Sequence, residues 1–351
     1  MRFSTIAIKQ NLKTILSADS DFIYLDVPDN KMYFSTDSQA LRLDLRFEDV
    51  TDEKVFVISK SDFLHIASFV DEIELKSSYK YKAGPCKGSF SKNENYVSAL
   101  DSIKVMFSHS DDYETLFTVD SEVLELLSRG SIFVNPEDSR TQSQNLDIQD
   151  GNIFSSSVFR IYINKFPIEG EGIIHYNVLK FILQLGEGTV VKKNSDSFLL
   201  VNEGVAMYFS SLRSETFLPI LSDKFQSKYK EVFETTKVVF SLRELKSKLE
   251  FISFYAKKKP SALTYLEIED GKVSFSVSEE NTVNVDAEEI GEFEGSKFVI
   301  PFNSVSMLEI ISKLSKGVEK VSLYAKGDDS IMIFILSFSE NENVVLSKIK
   351  V

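Results

Sequence analysis

Cysteine, histidine and long apolar runs are scarce in this chain, and each scarcity removes a class of function. The single cysteine, Cys86, has no partner for an intrachain disulfide. That excludes the framework of a small oxidised domain and, with no leader-like segment at the start, leads one to expect a reducing cytoplasm. The three histidines, His65, His109 and His175, have no metal-ligand spacing with one another or with Cys86, so neither a metal nor another cofactor is expected. Apolar runs stop well short of the roughly eighteen residues that a membrane span needs, and the stretch from Ile331 to Leu336 suits a buried strand. Phosphate-cradling glycine loops are missing too. Gly170-Glu171-Gly172 and Gly186-Glu187-Gly188 lack the lysine and hydroxyl that would complete one, and they read as turns. Glu279-Glu280 and Glu288-Glu289 read as solvated surface rather than paired catalytic carboxylates, so no enzymatic constellation is present. Positive charge is in deficit as well: 40 Lys and Arg face 53 Asp and Glu, a net charge of −13. A uniformly basic surface that would adhere to nucleic acid or anionic membrane is therefore excluded.

What the chain does have is a pattern stated three times. FSTIAIKQNLKTIL from Phe3, FTVDSEVLELL from Phe117 and FSLRELKSKLEFI from Phe240 each pass from a strand start into an amphipathic helix. A second unit, strand then polar break then helix, also recurs: VFVISKSDFLHIASF from Val55, GIIHYNVLKFILQL from Gly172 and KFVIPFNSVSMLEIISKL from Lys297. The period is too long for a solenoid, so each copy reads as a domain with its own core. The 351 residues, 43% of them hydrophobic, are enough for three such domains, expected at 1–108, 109–230 and 231–351.

Between the helices lie strand patterns. Phe22–Val27 and Lys31–Ser35 flank a Pro-Asp-Asn turn, Gln39–Phe47 alternates apolar and polar residues, and Leu263–Glu269 is joined to Lys272–Ser278 by Asp270-Gly271. Further short strands are expected at Ile73–Lys76, Tyr79–Ala83 and Gly88–Phe90. The order of elements implies α+β domains with antiparallel sheets and two helices each. The helices should bury Ile8, Leu12, Ile15 and Leu16, then Leu242, Leu245, Leu249 and Ile252, then Val305, Leu308, Ile311 and Leu314. Their open faces carry Lys9 and Lys13, then Arg243 and Lys246 with Ser253 and Lys257, then Lys313 and Lys316. The middle copy offers only Arg129 and Lys180. Each stripe taken alone reads as a solvated face; together they suggest basic residues gathered on one surface. Ser102–Glu114 and Arg213–Glu234 read as linkers, the second with an apolar stretch from Phe217 to Phe225, and polar Asn135–Gln149 reads as either an exposed loop or a poorly ordered segment.

With FLPILSDKF at the second junction, FSLRELKSKL, YLEIEDGKVSFSVSEEN, GSKFVIPFNSVSMLEIISKL and the closing VVLSKIKV in order, the whole chain resembles the bacterial DNA sliding clamps, the beta subunits of DNA polymerase III. SSVFRIYINKF sits where that family carries an Asp-Gly-His-Arg-Leu type strand, so that Phe159, Arg160 and Ile161 match His-Arg-Leu, while Ser157-Val158 replaces Asp-Gly and marks a divergent member. The resemblance implies three repeated clamp-type domains assembling, as a head-to-tail homodimer, into a closed ring around double-stranded DNA. It implies a replicative DNA polymerase and a clamp loader as partners, no catalytic site and no membrane. The partner-peptide pocket it implies comprises Arg160, Ile161, Pro219, Phe225, Val345, Leu346 and Ile349, with Val351 nearby. The DNA-facing channel would use Lys9, Lys13, Arg129, Lys180, Arg243, Lys246, Lys257, Lys313 and Lys316. Phe90, Tyr96, Phe254 and Tyr255 are candidate plugs of the dimer interface or members of the core. A non-enzymatic structural repeat protein, such as a viral assembly component without a DNA role, remains the alternative.

Overall fold

The computed structural model describes residues 1–351 apart from 37, 51, 94–95, 109–111, 139, 158–159, 169, 211–222, 294–296, 327–332 and 350–351. The recurring strand-to-helix step is present in all six copies. Arg2–Ser4 precedes α1 (Ile6–Gln10) and α2 (Leu12–Ser17), and Val55–Ser59 enters α3 (Lys60–Ala67). After a separate helix, α4 (Ala99–Ser108), Glu114–Thr118 leads to α5 (Ser121–Ser131) and Gly172–His175 enters α6 (Tyr176–Leu185). After α7 (Asp223–Phe233), Thr236–Ser241 enters α8 (Leu242–Ala256) and Lys297–Asn303 enters α9 (Ser304–Leu314). The steps occur where the apolar period changes from two to three or four, and polar residues secure some of them. Asp120 accepts the Val123 N–H at 2.8 Å ahead of α5, and Asn303 accepts the Ser306 N–H at 2.8 Å to cap α9.

The chain forms two compact units. The first comprises Met1–Leu124 with Asn177–Arg213, and the second Glu125–Tyr176 with Ser214–Val351. Among the described residues the first unit holds a five-stranded sheet, in the order Phe47–Glu48, Arg2–Ser4, Glu72–Leu75, Lys80–Ala83, Cys86–Ser89. Its eight-stranded sheet runs Glu114–Thr118, Val190–Lys193, Ser197–Asn202, Val205–Ser210, Gln39–Asp44, Lys31–Ser35, Phe22–Asp26, Val55–Ser59. The second unit holds a nine-stranded sheet, from Gly172–His175 through Asn145–Gln149, Asn152–Ser157, Arg160–Lys165, Glu342–Ser347, Ile333–Ser337, Lys320–Ala325 and Thr236–Ser241 to Ala287–Ile290. Its four-stranded sheet runs Asn281–Val285, Lys272–Ser278, Leu263–Glu269, Lys297–Asn303. Neighbouring described strands pair antiparallel, with register Tyr24↔Tyr33 in the first hairpin and Leu266↔Phe275 in the last. No helix among the described residues is long and apolar enough to cross a membrane.

Three segments differ from the sequence expectation. Ser102–Glu114 is not simply a linker, because α4 runs to Ser108 and buries Leu100, Ile103 and Phe107 against Tyr24, Tyr33 and Leu199. Its three- and four-residue apolar spacing is diluted by Ser, Asp and Lys, which hides it in a composition reading. Arg213–Glu234 contains α7, whose Phe225, Tyr229, Val232 and Phe233 pack over the nine-stranded sheet. Asn135–Gln149 ends in a central strand, Asn145–Gln149, in which polar Asn145 and Asp147 are buried with Leu146 and Ile148.

The helix faces also shift. Asn11 interrupts the first helix, with its side-chain amide donating to the Ala7 carbonyl at 2.9 Å. Ile8 and Ile15 are buried while Leu16 is 59% exposed. In α8 Ser253 is buried rather than solvated, and in α9 Met307 and Ile310 join Ile311 and Leu314 inside while Val305 and Leu308 are only half-buried. An ideal helical period places a face to within about a residue, and packing decides the rest.

In the first unit, α4 is tied to the hairpin Phe22–Ser35 by charge as well as by apolar contact. Lys104 pairs with buried Asp26 and, at 2.7 Å, with Asp29. Tyr33 lies beside this cluster with its ring 6.1 Å from Phe107, and burial, reinforced by the Asp26 charge, pushes its phenol up to about 12. A group whose pKa is raised by folding lends stability that is fully present below its unfolded value, about 10, and is lost above it. The denaturation midpoint should therefore fall as pH rises from about 10 through about 12, and fall less steeply in Tyr33→Phe. Identical alkaline profiles for the two proteins would contradict this assignment.

Candidate functional site

The site is organised by one strand pairing in the second unit. Arg160–Lys165 lies between Asn152–Ser157 and Glu342–Ser347, with Arg160 opposite Leu346, Ile161 opposite Val345 and Tyr162 opposite Val344. The next strand sets Phe334 opposite Leu346 and Ile335 opposite Val345. Successive side chains alternate across a pleat, so Arg160, Leu346 and Phe334 share one face and Ile161, Val345 and Ile335 the other.

On the Arg160 face opens a cavity of about 630 Å³. Phe334 and Leu346 line it, and Phe334 is anchored through Phe302 to Phe275 by ring contacts at 6.3 and 5.5 Å. One side is formed by Asn303 and Ser306 at the start of α9. The Asn303 amide donates to the carbonyl of Ser261 at 2.7 Å, and Ser261, another lining residue, has left-handed backbone at φ 55°. The chain beyond Ser347 closes another side. Ile349 donates its N–H to the Pro301 carbonyl at 3.1 Å, and Lys348, 7% exposed, donates to the Lys326 carbonyl at 2.6 Å. At the rim Arg160 donates to Glu309 Oε2 and Lys313 to Glu309 Oε1, both at 2.9 Å. Partial burial of Glu309 opposes ionisation, but Lys313 and Arg160 outweigh it and hold the carboxyl below its usual range.

Three residues expected in the pocket, Arg160, Leu346 and Ile349, line this cavity. Ile161, Val345 and Phe225 also come together, but on the opposite face, under α7 with Tyr229 and Val232. This corrects the sequence expectation: the register carries Ile161 and Val345 to the face that α7 covers with Phe225, and none of the three is among the lining residues. Near strand ends adjacent residues do line the cavity together, as Ile333 with Phe334 and Leu346 with Ser347. Pro219 and Val351 lie outside the described residues. Sequence reasoning missed Asn303, Ser306, Phe334 and Lys348. Asn303-Ser304 before an apolar run is a helix-start signal that could have found the first two; Phe334 required the strand register.

The basic residues divide by unit. In the first, Lys13 is exposed, Lys9 pairs with Asp71 at 2.7 Å, and half-buried Lys180 lies 5.5 Å from the Phe181 ring. In the second, α8 and α9 pack side by side and carry exposed Arg243 and Lys257, half-buried Lys246, and exposed Lys313 and Lys316. Arg129 is corrected. It is 14% exposed, and its guanidinium grips Glu342 through Nε at 3.0 Å and Nη2 at 3.1 Å. Tyr162 donates its hydroxyl to the same carboxylate at 2.9 Å, and Asn164 donates to the Tyr162 oxygen at 3.0 Å. Burial first, then the Glu342 charge, raises the Tyr162 phenol well above its usual range. Gly130, next to Arg129, allows the close approach: a Cβ there would meet the Leu146 side chain at 2.8 Å, and Ser155 donates to its carbonyl at 2.7 Å.

Of the candidate interface residues, Phe90 is core, packed with Phe63 and Tyr81, because its strand-end position faces inward. Tyr96 is 47% exposed and stacks on Phe22 at 4.6 Å. Phe254 is 62% exposed beside half-buried Tyr255 and 51% exposed Phe251, with the Lys258 ammonium 5.0 Å from the Phe254 ring. His65 is exposed, His175 meets Gln144 at 3.2 Å, and His109 lies outside the described residues. Among the described residues no group of three or more His, Cys, Asp or Glu could hold a metal ion.

No protein-family model matches the chain, and no curated protein matches it by sequence. Solved structures do match. The DNA polymerase III beta chain of Streptococcus pneumoniae superposes with a TM-score of 0.75 at 14% identity, covering 100% of this chain and 99% of that one. The beta subunit of Thermotoga maritima gives 0.72 at 17% identity, with the same coverage. The Helicobacter pylori beta clamp bound to a DNA ligase peptide gives 0.72 at 14% identity, covering 100% of both chains. At these identities the likeness is one of fold, and it extends over the whole chain.

The Arg129–Glu342 pair is open to direct test. Removing Arg129 leaves Glu342 charged and buried without its partner, which costs about 3–5 kcal/mol, whereas replacing both ions with apolar groups costs far less. Urea unfolding should show Arg129→Met as strongly destabilised and Arg129→Met/Glu342→Met as largely recovered. Additive losses in that double-mutant cycle would show that the two do not act as a pair.

Proposed function

We propose that this chain, which has the fold of the beta-subunit clamps from end to end, is a DNA sliding clamp. In this reading it is a non-catalytic accessory of a replicative DNA polymerase, acting in the cytoplasm and placed on double-stranded DNA by a clamp loader. Its three domains, 1–108, 109–230 and 231–351, would pair head to tail in a homodimer and close a ring of six similar domains. The observation that carries the reading is the full-length correspondence of fold. The six recurring strand-to-helix steps give it an internal basis.

A closed ring holds DNA by topology, so it requires no base-specific hydrogen bonds, only weak and interchangeable phosphate contacts. Lys13, Lys180, Arg243, Lys246, Lys257 and Lys316 are the side chains we assign to that task, with Lys9 and Lys313 partly engaged by Asp71 and Glu309. The net charge of −13 is compatible with this, because screening over about 8 Å at physiological salt makes the local lining matter more than distant acids. The exposed Phe251 and Phe254, with half-buried Tyr255, at the end of α8 supply apolar area for a partner protomer. The cavity beside Arg160 and Leu346 is the place we assign to partner peptides, as an apolar groove with a polar rim.

The deciding experiment loads the protein onto nicked circular duplex and follows its retention before and after linearisation. Long retention on the circle and rapid loss from the linear form are expected; equal loss from both, with a cognate loader present, would sink the ring. Leu346→Asp, facing the cavity, should abolish stimulation of the cognate polymerase while retention persists. Ile161→Asp is a poorer probe, since it would unseat α7. For the dimer, Phe254→Asp should halve the mass in solution with the circular-dichroism spectrum retained, and an unchanged mass would place the interface elsewhere.

A further inference from the structure

Among the described residues that line the cavity beside Arg160, in a chain of net charge −13, two are cations, Arg160 and the largely buried Lys348, and none is a carboxylate. The remaining lining is apolar, through Phe334 and Leu346, or neutral, through Asn303 and Ser306. The carboxylate that does reach this cationic edge belongs to Glu309, which accepts from Arg160 and from Lys313 on its two separate oxygens, each at 2.9 Å.

We infer that Glu309 is a built-in surrogate for an acidic group of the partner, and that the cavity selects extended peptide segments carrying a carboxylate next to an apolar anchor. The inference rests on the reading of this cavity as a partner-peptide site. As the apolar anchor enters against Phe334 and Leu346, the incoming carboxylate takes Arg160 from Glu309. Lys313 makes the exchange inexpensive. It already holds the other Glu309 oxygen from one turn away on α9, so releasing Arg160 leaves Glu309 paired. A neutral peptide meets an Arg160 already engaged and gains nothing from it. Arg160 is thus the specificity-determining residue, Glu309 moderates the preference by competing for it without touching the peptide, and Lys313 serves as the second anchor of Glu309.

The test uses two N-acetylated, C-amidated hexapeptides with a central phenylalanine, identical except for glutamate or glutamine beside it. Binding to the full chain is measured by calorimetry at low and high salt. The wild-type protein should prefer the glutamate peptide, and the preference should shrink with added salt. In Glu309→Gln the preference should rise about threefold, the scale of one partly exposed ion pair. In Arg160→Met it should vanish. Equal binding of both peptides to the wild type, or a preference untouched by either substitution, would overturn the inference while leaving the clamp reading to the DNA-retention measurement. Binding of neither peptide would also overturn it, as would a second copy of this chain filling the cavity, detected as an Arg160-dependent rise in mass with protein concentration.

Discussion

The second unit depends on one pairing, that of strand Arg160–Lys165 with strand Glu342–Ser347. It joins the middle third of the sequence to the last third within one sheet. Its register decides which residues face the cavity and which face α7. A slip of one residue would exchange the two faces, placing Ile161 where Arg160 now meets Glu309. The end of the pairing is held by a structure that tolerates no slip. Glu342 receives two bonds from Arg129 and one from Tyr162 in a buried setting, where an unmade bond is costly. Polar specificity at one end of the ladder and apolar packing along it are complementary: the carboxylate sets the alignment, and the side chains on either face exploit it.

The first unit solves a similar problem with a different cast. Lys104 on α4 reaches Asp26 and Asp29 at the hairpin, so a helix of modest apolar content is positioned by charge as well as by Leu100, Ile103 and Phe107. In both units a cation from a helix meets acids on a strand or at its end. Other ion pairs among the described residues, such as Lys237 with Glu289 or Lys320 with Glu288, lie on exposed surface, where such pairs contribute little.

How far the sequence could be read follows from which signals are local. The change from strand to helix period is local, and all six strand-to-helix steps were legible. So were the hairpins at Pro28-Asp29-Asn30 and Asp270-Gly271, where Asn30, Asp270 and Gly271 have positive φ. Helices α4 and α7 were obscured because their apolar residues are sparse within polar composition and they bury against strands distant in sequence. The cavity was half legible. Arg160, Leu346 and Ile349 were found from a family resemblance, but Ile161, Val345 and Phe225 belong to the opposite face, and that parity follows from a register no local pattern encodes. Arg129 shows the same limit: a basic residue in a helix reads as solvent-facing until its partner, far along the chain, is in place.

The strand pairing has a further consequence during synthesis. Tyr162 and Glu342 are separated by 180 residues, and translation proceeds at about 5–20 residues per second, so the edge of Arg160–Lys165 waits roughly ten to forty seconds for its neighbour. During that interval a nascent chain presents an open row of backbone donors and acceptors, flanked by Ile161 and Ile163, to whatever else the ribosome has made nearby. The arginine and lysine at the two ends of this strand thus have a second use while the chain is incomplete, as charged residues that discourage a neighbouring nascent strand from adding itself to the edge.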